Sequence, residues 1–383
     1  MKVLITGGTG TISSGIVQEC VNRKIETYAL TRGSNKSRNI TGADYLYADV
    51  WNTESVSDAI GNRKYDVVVE CLVYNVEQLK ISLRNFANIC EQYVFVSTAG
   101  IYNRQGEKEI REQDEKCFTD WNYTRDKIEC ERYLIRFCEE NALKYTIIRP
   151  TVTYGDYRIP FPVATRTPGW TFFQRMLDEK PMLASTNVPF SVIHISDFSN
   201  AVVSLFGNRE AYNEDFHITS RKNNIYWDDT IRIADSILGT NSKIIHVPVE
   251  AFEKIYPQIY DELRFHKNTS QLFDDLKVRT VAKCDAKVSL ADGVRNTISA
   301  MRTEYEMQEL KLDDEWNDLC NATIYYAYKN NLLENEEMIL LEKYFLQENI
   351  KVEFISSFKR VRNLQKKKCI KRIISKIKSK ICK

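Results

Sequence analysis

The chain has no uninterrupted apolar stretch long enough to span a bilayer, so its bulk is expected to lie outside the membrane. It has ten cysteines but no Cys-x-x-Cys pair, and they are scattered among expected strands and helices. That pattern argues against a disulfide framework and fits small buried hydrophobes in a reducing compartment. Four histidines, widely separated, give no metal constellation. A strand is expected from Lys2, which leaves no room for a signal peptide, so a cytoplasmic body is expected. Acidic residues are missing from Phe354 to Lys383, where 12 Lys or Arg occur. Residues 1–353 then hold 42 basic and 52 acidic groups, so a net charge of +2 conceals an acidic body with a basic tail.

At 383 residues and 43% apolar, the chain can bury one large core or two. Its first residues organise the rest. Val3 to Ile5 read as a buried parallel strand, followed by Gly7 and Gly10, where backbone can turn tightly and approach a ligand closely. A helix is expected from Thr11 to Arg23, so its free N–H groups and positive dipole end face the glycines. A pyrophosphate would sit there, against Gly7, Gly10, Thr11 and Ile12.

A second strand, Glu26 to Thr31, runs into Arg32 and a basic loop ending at Arg38. An acid at this point would accept from the ribose 2′-OH of NAD, whereas an Arg can pair with the 2′-phosphate of NADP. Arg32 leans towards NADP; the alternative is a solvated basic loop that tolerates either cofactor. Strands are expected at Asp44 to Ala48 and Asp66 to Cys71, with a helix from Thr53 to Gly61 between them. Asp49, before Val50, could accept from the adenine amino group or cap a helix. A helix from Val76 to Gln92 and a buried strand from Tyr93 to Thr98 complete the alternation expected of a doubly wound parallel sheet. That last strand ends in two hydroxyls, Ser97 and Thr98.

Within an expected helix from Asn122 to Cys138, Tyr123 and Lys127 stand four apart and share a face. An ammonium beside a phenol favours the phenolate, lowering a pKa that starts near ~10 towards neutrality. The pair could work as an acid–base unit, although a Tyr-x-x-x-Lys spacing alone is weak.

Taken together, the motifs resemble the extended short-chain dehydrogenase/reductase superfamily, in its NAD-dependent epimerase/dehydratase branch that works on nucleotide sugars. The resemblance covers roughly residues 1–310. It rests on Gly7-x-x-Gly10-x-x-Ser13, Asp49-Val50, Val94 to Tyr102, Tyr123-x-x-x-Lys127, Ile148 to Gly155 and Val192 to Asp197, in that order. It implies a Rossmann-like domain over 1–160 with 190–220 returning to it, and a smaller α/β substrate lobe over 161–310. A helical extension, 311–353, and the basic tail, 354–383, would follow.

The resemblance implies that Tyr123 is the general acid/base and that Lys127 binds the nicotinamide ribose and depresses the Tyr123 pKa. Thr98 would bond the same substrate oxygen, and Pro150 would line the nicotinamide pocket. Two departures stand out: Ser13 replaces the third glycine, and Arg32 replaces the acid common in NAD users. Relatives that dehydrate sugars follow the Thr with Asp-Glu, where this chain has Ala99-Gly100. That leaves epimerisation through a transient ketone, or net reduction of a keto sugar by NADPH. A different class stays open, since some members of this fold are non-catalytic nucleotide- or RNA-binding proteins. A homodimer is implied by the superfamily.

Beyond Gly155 the pattern loosens. Pro160, Pro162, Pro168 and Gly169 precede a helix from Trp170 to Glu179, where Trp170 and Arg175 are candidates for a base or phosphate but more commonly a buried Trp and a surface Arg. Arg221, Arg264 and Arg279 are candidates for a substrate diphosphate. In the tail, Ile370, Ile373, Ile374, Ile377 and Ile381 recur at helical spacing among lysines. Such a helix can lie in an anionic membrane surface. Nucleic acid fits less well, because the tail lacks aromatics for stacking. Placement at the inner face of a membrane would suit an enzyme feeding surface polysaccharide biosynthesis.

Overall fold

The structure is a computed structural model, and it describes residues 1–102, 108–156, 158–164, 169–220 and 224–381, with side chains to Lys368. The first half alternates strand and helix: β1 (Lys2–Thr6), α1 (Thr11–Asn22), β2 (Glu26–Thr31), β3 (Asp44–Tyr47), α2 (Thr53–Ile60), β4 (Tyr65–Glu70), α3 (Val76–Phe86), β5 (Cys90–Val96), α4 (Asn122–Asn141) and β6 (Lys144–Pro150). Then come β7 (Val152–Tyr154), α5 (Trp170–Leu177), β8 (Met182–Ala184), β9 (Pro189–His194), α6 (Ile195–Ser204), β10 (Glu214–Ile218), β11 (Asn224–Tyr226), α7 (Trp227–Leu238) and β12 (Ile244–His246). The remainder is helical: α8 (Val249–Ile255), the single turn α9 (Tyr260–Glu262), α10 (Leu276–Ala282), α11 (Leu290–Met307), α12 (Asp314–Lys329), α13 (Asn335–Tyr344) and α14 (Glu348–Ile381).

Seven strands form one parallel sheet in the order β10-β6-β5-β4-β1-β2-β3. Val3 pairs with Thr27 on one side and Val67 on the other, so β1 is central and buried on both faces. Strict alternation along β1 sends Val3 and Ile5 into one core and Leu4 into the other. The first core is closed by Ile16 and Val17 of α1 with Phe198 and Val202 of α6. The second is closed by Leu79, Leu83 and Phe86 of α3 with Leu134 and Cys138 of α4. Strand order reverses between β1 and β4, and ligands of such sheets bind beyond the carboxyl ends at that switch point.

The chain divides into two compact units. One comprises 1–160, 189–226 and 269–300 and holds the sheet; the other comprises 161–188, 227–268 and 301–383. The helix expected to reach Gln92 stops at Phe86, and β5 begins at Cys90. Gln92, which looks like a polar helix residue, is fully buried in that strand. Its amide donates to Thr146 Oγ1 at 2.8 Å and accepts from the Gly207 N–H at 2.8 Å. In the second unit Arg175 is buried, not at the surface: it donates to the Pro181 carbonyl, Asn317 and Asn321, with Trp316 against its guanidinium.

The basic segment from Phe354 is part of α14, and its first turns are packed. Phe354, Ser357 and Val361 of α14 are buried, and Arg360 pairs with Asp318 of α12 at 2.6 Å. Lys366, Lys367 and Lys368 are exposed. Among the described residues no helix is long and apolar enough to cross a membrane.

Candidate active site

The glycine turn joins β1 to α1. Gly7 and Gly8 both take φ +99°, the left-handed region that L side chains rarely enter, and a Cβ on Gly8 would meet Ala29 Cβ at 2.8 Å. Gly10 differs. Its φ is −90°, and a Cβ there would meet nothing in the protein nearer than Ser13 Oγ at 3.7 Å. The backbone would tolerate a side chain, so the open space fits a group that approaches from outside. Ser13 takes the third glycine's place without loss: its hydroxyl accepts from the Gly10 N–H and donates to the Gly10 carbonyl, both at 3.3 Å. The N–H groups of Thr11 and Ile12, in the first turn of α1, have no carbonyl within the helix to bond. This cradle fits a dinucleotide pyrophosphate.

Arg32 lies exposed one residue past β2. Asp49 is exposed, and its carboxylate accepts from the Trp51 N–H at 3.2 Å, while Asn52 caps α2. Val50 is buried and its carbonyl accepts from Asn85 at 3.3 Å. Pro150 is buried at the end of β6.

Lys127 is the centre of the site. It is 3% exposed, and its Nζ donates to the Val73 carbonyl at 2.7 Å, past β4, and to the Val96 carbonyl at 2.8 Å, ending β5. Those two bonds tie the first turns of α4 to the segment that follows β4 and to the carboxyl end of β5, beside the switch point. Burial, which penalises the ammonium, pushes the Lys127 pKa down to about 8 against smaller opposing pulls that include Glu70. The Tyr74 ring covers Nζ, with its centroid 5.3 Å away, and lies 6.3 Å from the Tyr123 ring. Trp121 flanks Tyr123 on another side at 5.0 Å. Tyr123 and Lys127 thus share a neighbour one helical turn apart. Thr98 is 8% exposed, and its Oγ1 accepts from the Gly100 N–H at 3.1 Å, fixing the turn that follows β5.

Sequence reasoning passed over Glu70, Tyr74 and Trp121. Glu70 is fully buried at the end of β4, where it accepts from Thr6 Oγ1 at 2.7 Å, from the Leu72 N–H at 2.7 Å and from Ser82. Burial raises its pKa, and the nearby Lys127 charge opposes that rise. A carboxylate after three valines in a buried strand was the available signal. Of the arginines considered for a diphosphate, Arg279 is paired with Asp275 at 2.9 Å, Arg264 lies against Phe265, and Arg221 falls outside the described residues.

A parallel, doubly wound sheet with a glycine cradle and a Tyr-x-x-x-Lys helix at its switch point is the architecture of a dinucleotide-binding protein of the extended short-chain dehydrogenase/reductase type. The profile of the NAD dependent epimerase/dehydratase family matches residues 3–218, more than half of the chain, and the chain belongs to that family. Among solved structures it is similar to UDP-glucose 4-epimerase of Thermotoga maritima with UDP-glucose, at 18% identity and TM-score 0.66, over 79% of this chain and 99% of that one. It is also similar to UDP-glucuronic acid 4-epimerase of Bacillus cereus with NAD, at 18% identity and TM-score 0.63, over 82% and 100%. Among curated proteins it is similar to the chloroplast stem-loop binding protein of 41 kDa b of Arabidopsis thaliana, 25% identical over 236 residues. That match covers 58% of this chain and 59% of the relative, so the chain spans less than two thirds of its length.

Proposed function

We propose that the chain is an NAD(P)-dependent epimerase of a nucleotide-activated sugar, with Tyr123 as its acid/base. The observation that carries this is the buried Lys127 ammonium, anchored to the segment after β4 and to the end of β5, one turn from Tyr123. The cofactor, when bound, supplies a reversible hydride acceptor. Tyr123 takes the proton of the sugar hydroxyl as a transient ketone forms, and returns it to the same oxygen when the ketone is reduced again from its other face. Lys127 keeps a positive charge near the phenol in a site where burial strengthens it, and Thr98 orients the reacting oxygen. The UDP sugars named with the solved neighbours support a nucleoside diphosphate as the handle. A Tyr123→Phe variant should lose turnover by about 10²–10⁴-fold while binding cofactor normally, measured by stopped assay and NADH fluorescence. Activity that survives the change would remove Tyr123 from the mechanism.

Arg32 supports a second reading, NADPH-dependent reduction of a keto sugar. Mass spectrometry of nucleotide retained by the purified protein separates the two. Tightly held NAD supports the epimerase, whereas an empty protein preferring NADPH supports the reductase. The plant relative's name supports a third reading, RNA binding, which filter binding to a stem-loop RNA tests directly. The basic helix supports peripheral attachment to an anionic membrane face. Because α14 is packed up to Val361, the test is deletion of 366–383, with loss of sedimentation on phosphatidylglycerol vesicles and unchanged turnover. A dimer is expected by sedimentation velocity.

A further inference from the structure

The last residue of β4, Glu70, is fully buried, and among the described residues no cation pairs with it directly. An isolated buried carboxylate is costly, so its hydrogen bonds decide whether it is charged. Its Oε1 accepts from Thr6 Oγ1 and from the Leu72 N–H, each at 2.7 Å. The Thr6 hydroxyl accepts in turn from the Cys71 N–H at 2.9 Å, which leaves its own hydrogen for Glu70, nearer than the Val69 carbonyl at 3.4 Å. Oε2 meets Ser82 Oγ, and Ser82 Oγ lies 2.7 Å from the Tyr93 hydroxyl.

That chain of three groups settles the proton. Were Glu70 protonated, the hydrogens of Glu70, Ser82 and Tyr93 would share two contacts, and one would be stranded among fully buried groups. With Glu70 ionised, Tyr93 donates to Ser82, Ser82 donates to Glu70, and each hydrogen has its acceptor. Burial raises the Glu70 pKa, but the bonds from Ser82, Leu72 and Thr6 oppose the rise, and so does the charge of Lys127.

The carboxylate also joins two parts of the site. Thr6 precedes Gly7, so one bond reaches the start of the glycine turn. Leu72 precedes Val73, whose carbonyl holds Lys127 Nζ, so another fixes the stretch that anchors the ammonium. Among carboxylates, Glu70 is the first to favour the Lys127 charge. The other groups around Lys127 do not replace it. Glu131 is already bound by Arg149 and Lys116. Burial pushes the Cys130 thiol up to about 12 and raises that of Cys71, so both are neutral at pH 8. Tyr74 and Phe95 present ring faces, with centroids 5.3 and 4.9 Å from Nζ. Burial likewise holds the Tyr93 phenol well above its ordinary range, so it stays neutral beside Ser82.

We infer that Glu70 is a positioning residue for Lys127: its ionised carboxylate binds the entry of the glycine turn to the segment that anchors the ammonium, and its negative charge, without an ion pair, keeps that ammonium charged. Its weight in turnover rests on the reading of Lys127 and Tyr123 given above. Its effect on Lys127 does not.

The test follows Lys127 in the full-length protein, without substrate or cofactor. With ¹³C-labelled lysine, one ε-carbon signal should titrate at about pH 8, ahead of the surface lysines near ~10.4, and be absent from Lys127→Met. Glu70→Gln keeps an acceptor for Leu72 and Thr6 but removes the charge. There the Lys127 midpoint should fall by about one pH unit or more, tenfold in proton affinity, whereas Glu70→Asp should stay near the parent even if its urea midpoint drops. A Lys127 midpoint that is unchanged or raised in Glu70→Gln would overturn the inference and leave Glu70 a structural acid. A second measurement needs no variant: the Glu70 δ-carbon of the parent, assigned through its backbone, should have the shift of an ionised carboxylate at pH 7. A protonated carboxyl there would overturn it as well. Neither readout involves turnover, so activity surviving in Tyr123→Phe would remove the acid/base and leave both titrations as they are.

Discussion

Arg149 and Lys127 are both buried cations of the sheet unit, and they are held in opposite ways. Arg149, fully buried, donates to both oxygens of Glu131 at 2.9 Å, to Asp215 and to the Tyr102 hydroxyl. Lys116 joins Glu131 at 2.7 Å, so the charge on that carboxylate is answered twice. Lys127 has no carboxylate within ion-pair distance among the described residues, only two backbone carbonyls. Paired charge is locked into the fold. Charge held by carbonyl dipoles alone stays titratable, and that is the kind an acid–base site needs.

The comparison breaks most sharply by removing each cation. Lys127→Met should reduce turnover by about 10²–10⁴-fold while the protein still folds, because the methionine stem fills the same apolar channel. Arg149→Met should instead lower stability by about 3–5 kcal/mol, since Glu131 is left buried without its main partner. Urea midpoints and initial rates on both variants check this together. If Arg149→Met lost activity at unchanged stability, the two cations would not divide as described.

Titration sharpens the contrast further. Burial raises the cost of the Glu131 charge, yet Arg149 and Lys116 hold its pKa well below the usual carboxylate range. Its stabilisation is therefore present above ~4.3, the unfolded value, and is lost only as pH falls through the lower folded value. Lys127 goes the other way. With its pKa at about 8, it should lose its charge on mild alkalinisation, and kcat/KM should fall above that pH. Lys127→Arg should keep whatever activity it has flat to higher pH. A limb that stays at pH 8 in that variant would belong to another group.

These two environments differ in how far they could be read from the sequence. The glycine turn, the βα alternation and the Tyr123 to Lys127 spacing are local patterns, and each falls where expected, with β2 matching residue for residue. Lys127's partners are not local: Val73 and Val96 lie 54 and 31 residues away, and backbone carbonyls leave no mark in sequence. Burial of Arg175 and Gln92 was illegible for the same reason, since each is satisfied by groups brought together only by packing. The change in charge at Phe354 is legible in composition, whereas the packing of the first turns of α14, with Phe354, Ser357 and Val361 buried, is not.

His246 in the second unit is a third way to hold a charge, between the two extremes. Its Nε2 lies 3.1 Å from Asp228, at the start of α7, and its Nδ1 3.4 Å from Glu337 of α13. The bond to Asp228 is the main cause of a raised pKa, with Glu337 adding to it against the effect of burial. A raised folded value means the stabilisation is complete below ~6.5 and is lost as pH rises through the folded pKa. The side chain is 28% exposed, so screening limits the gain to about 1 kcal/mol or less. Between pH 6 and 8.5 the urea midpoint of the parent should fall relative to that of His246→Asn. The difference between the two proteins is the quantity to follow, because Lys127 titrates nearby in pH with the opposite sign and is common to both. An equal pH dependence in the two would show that His246 is not charged between its carboxylates.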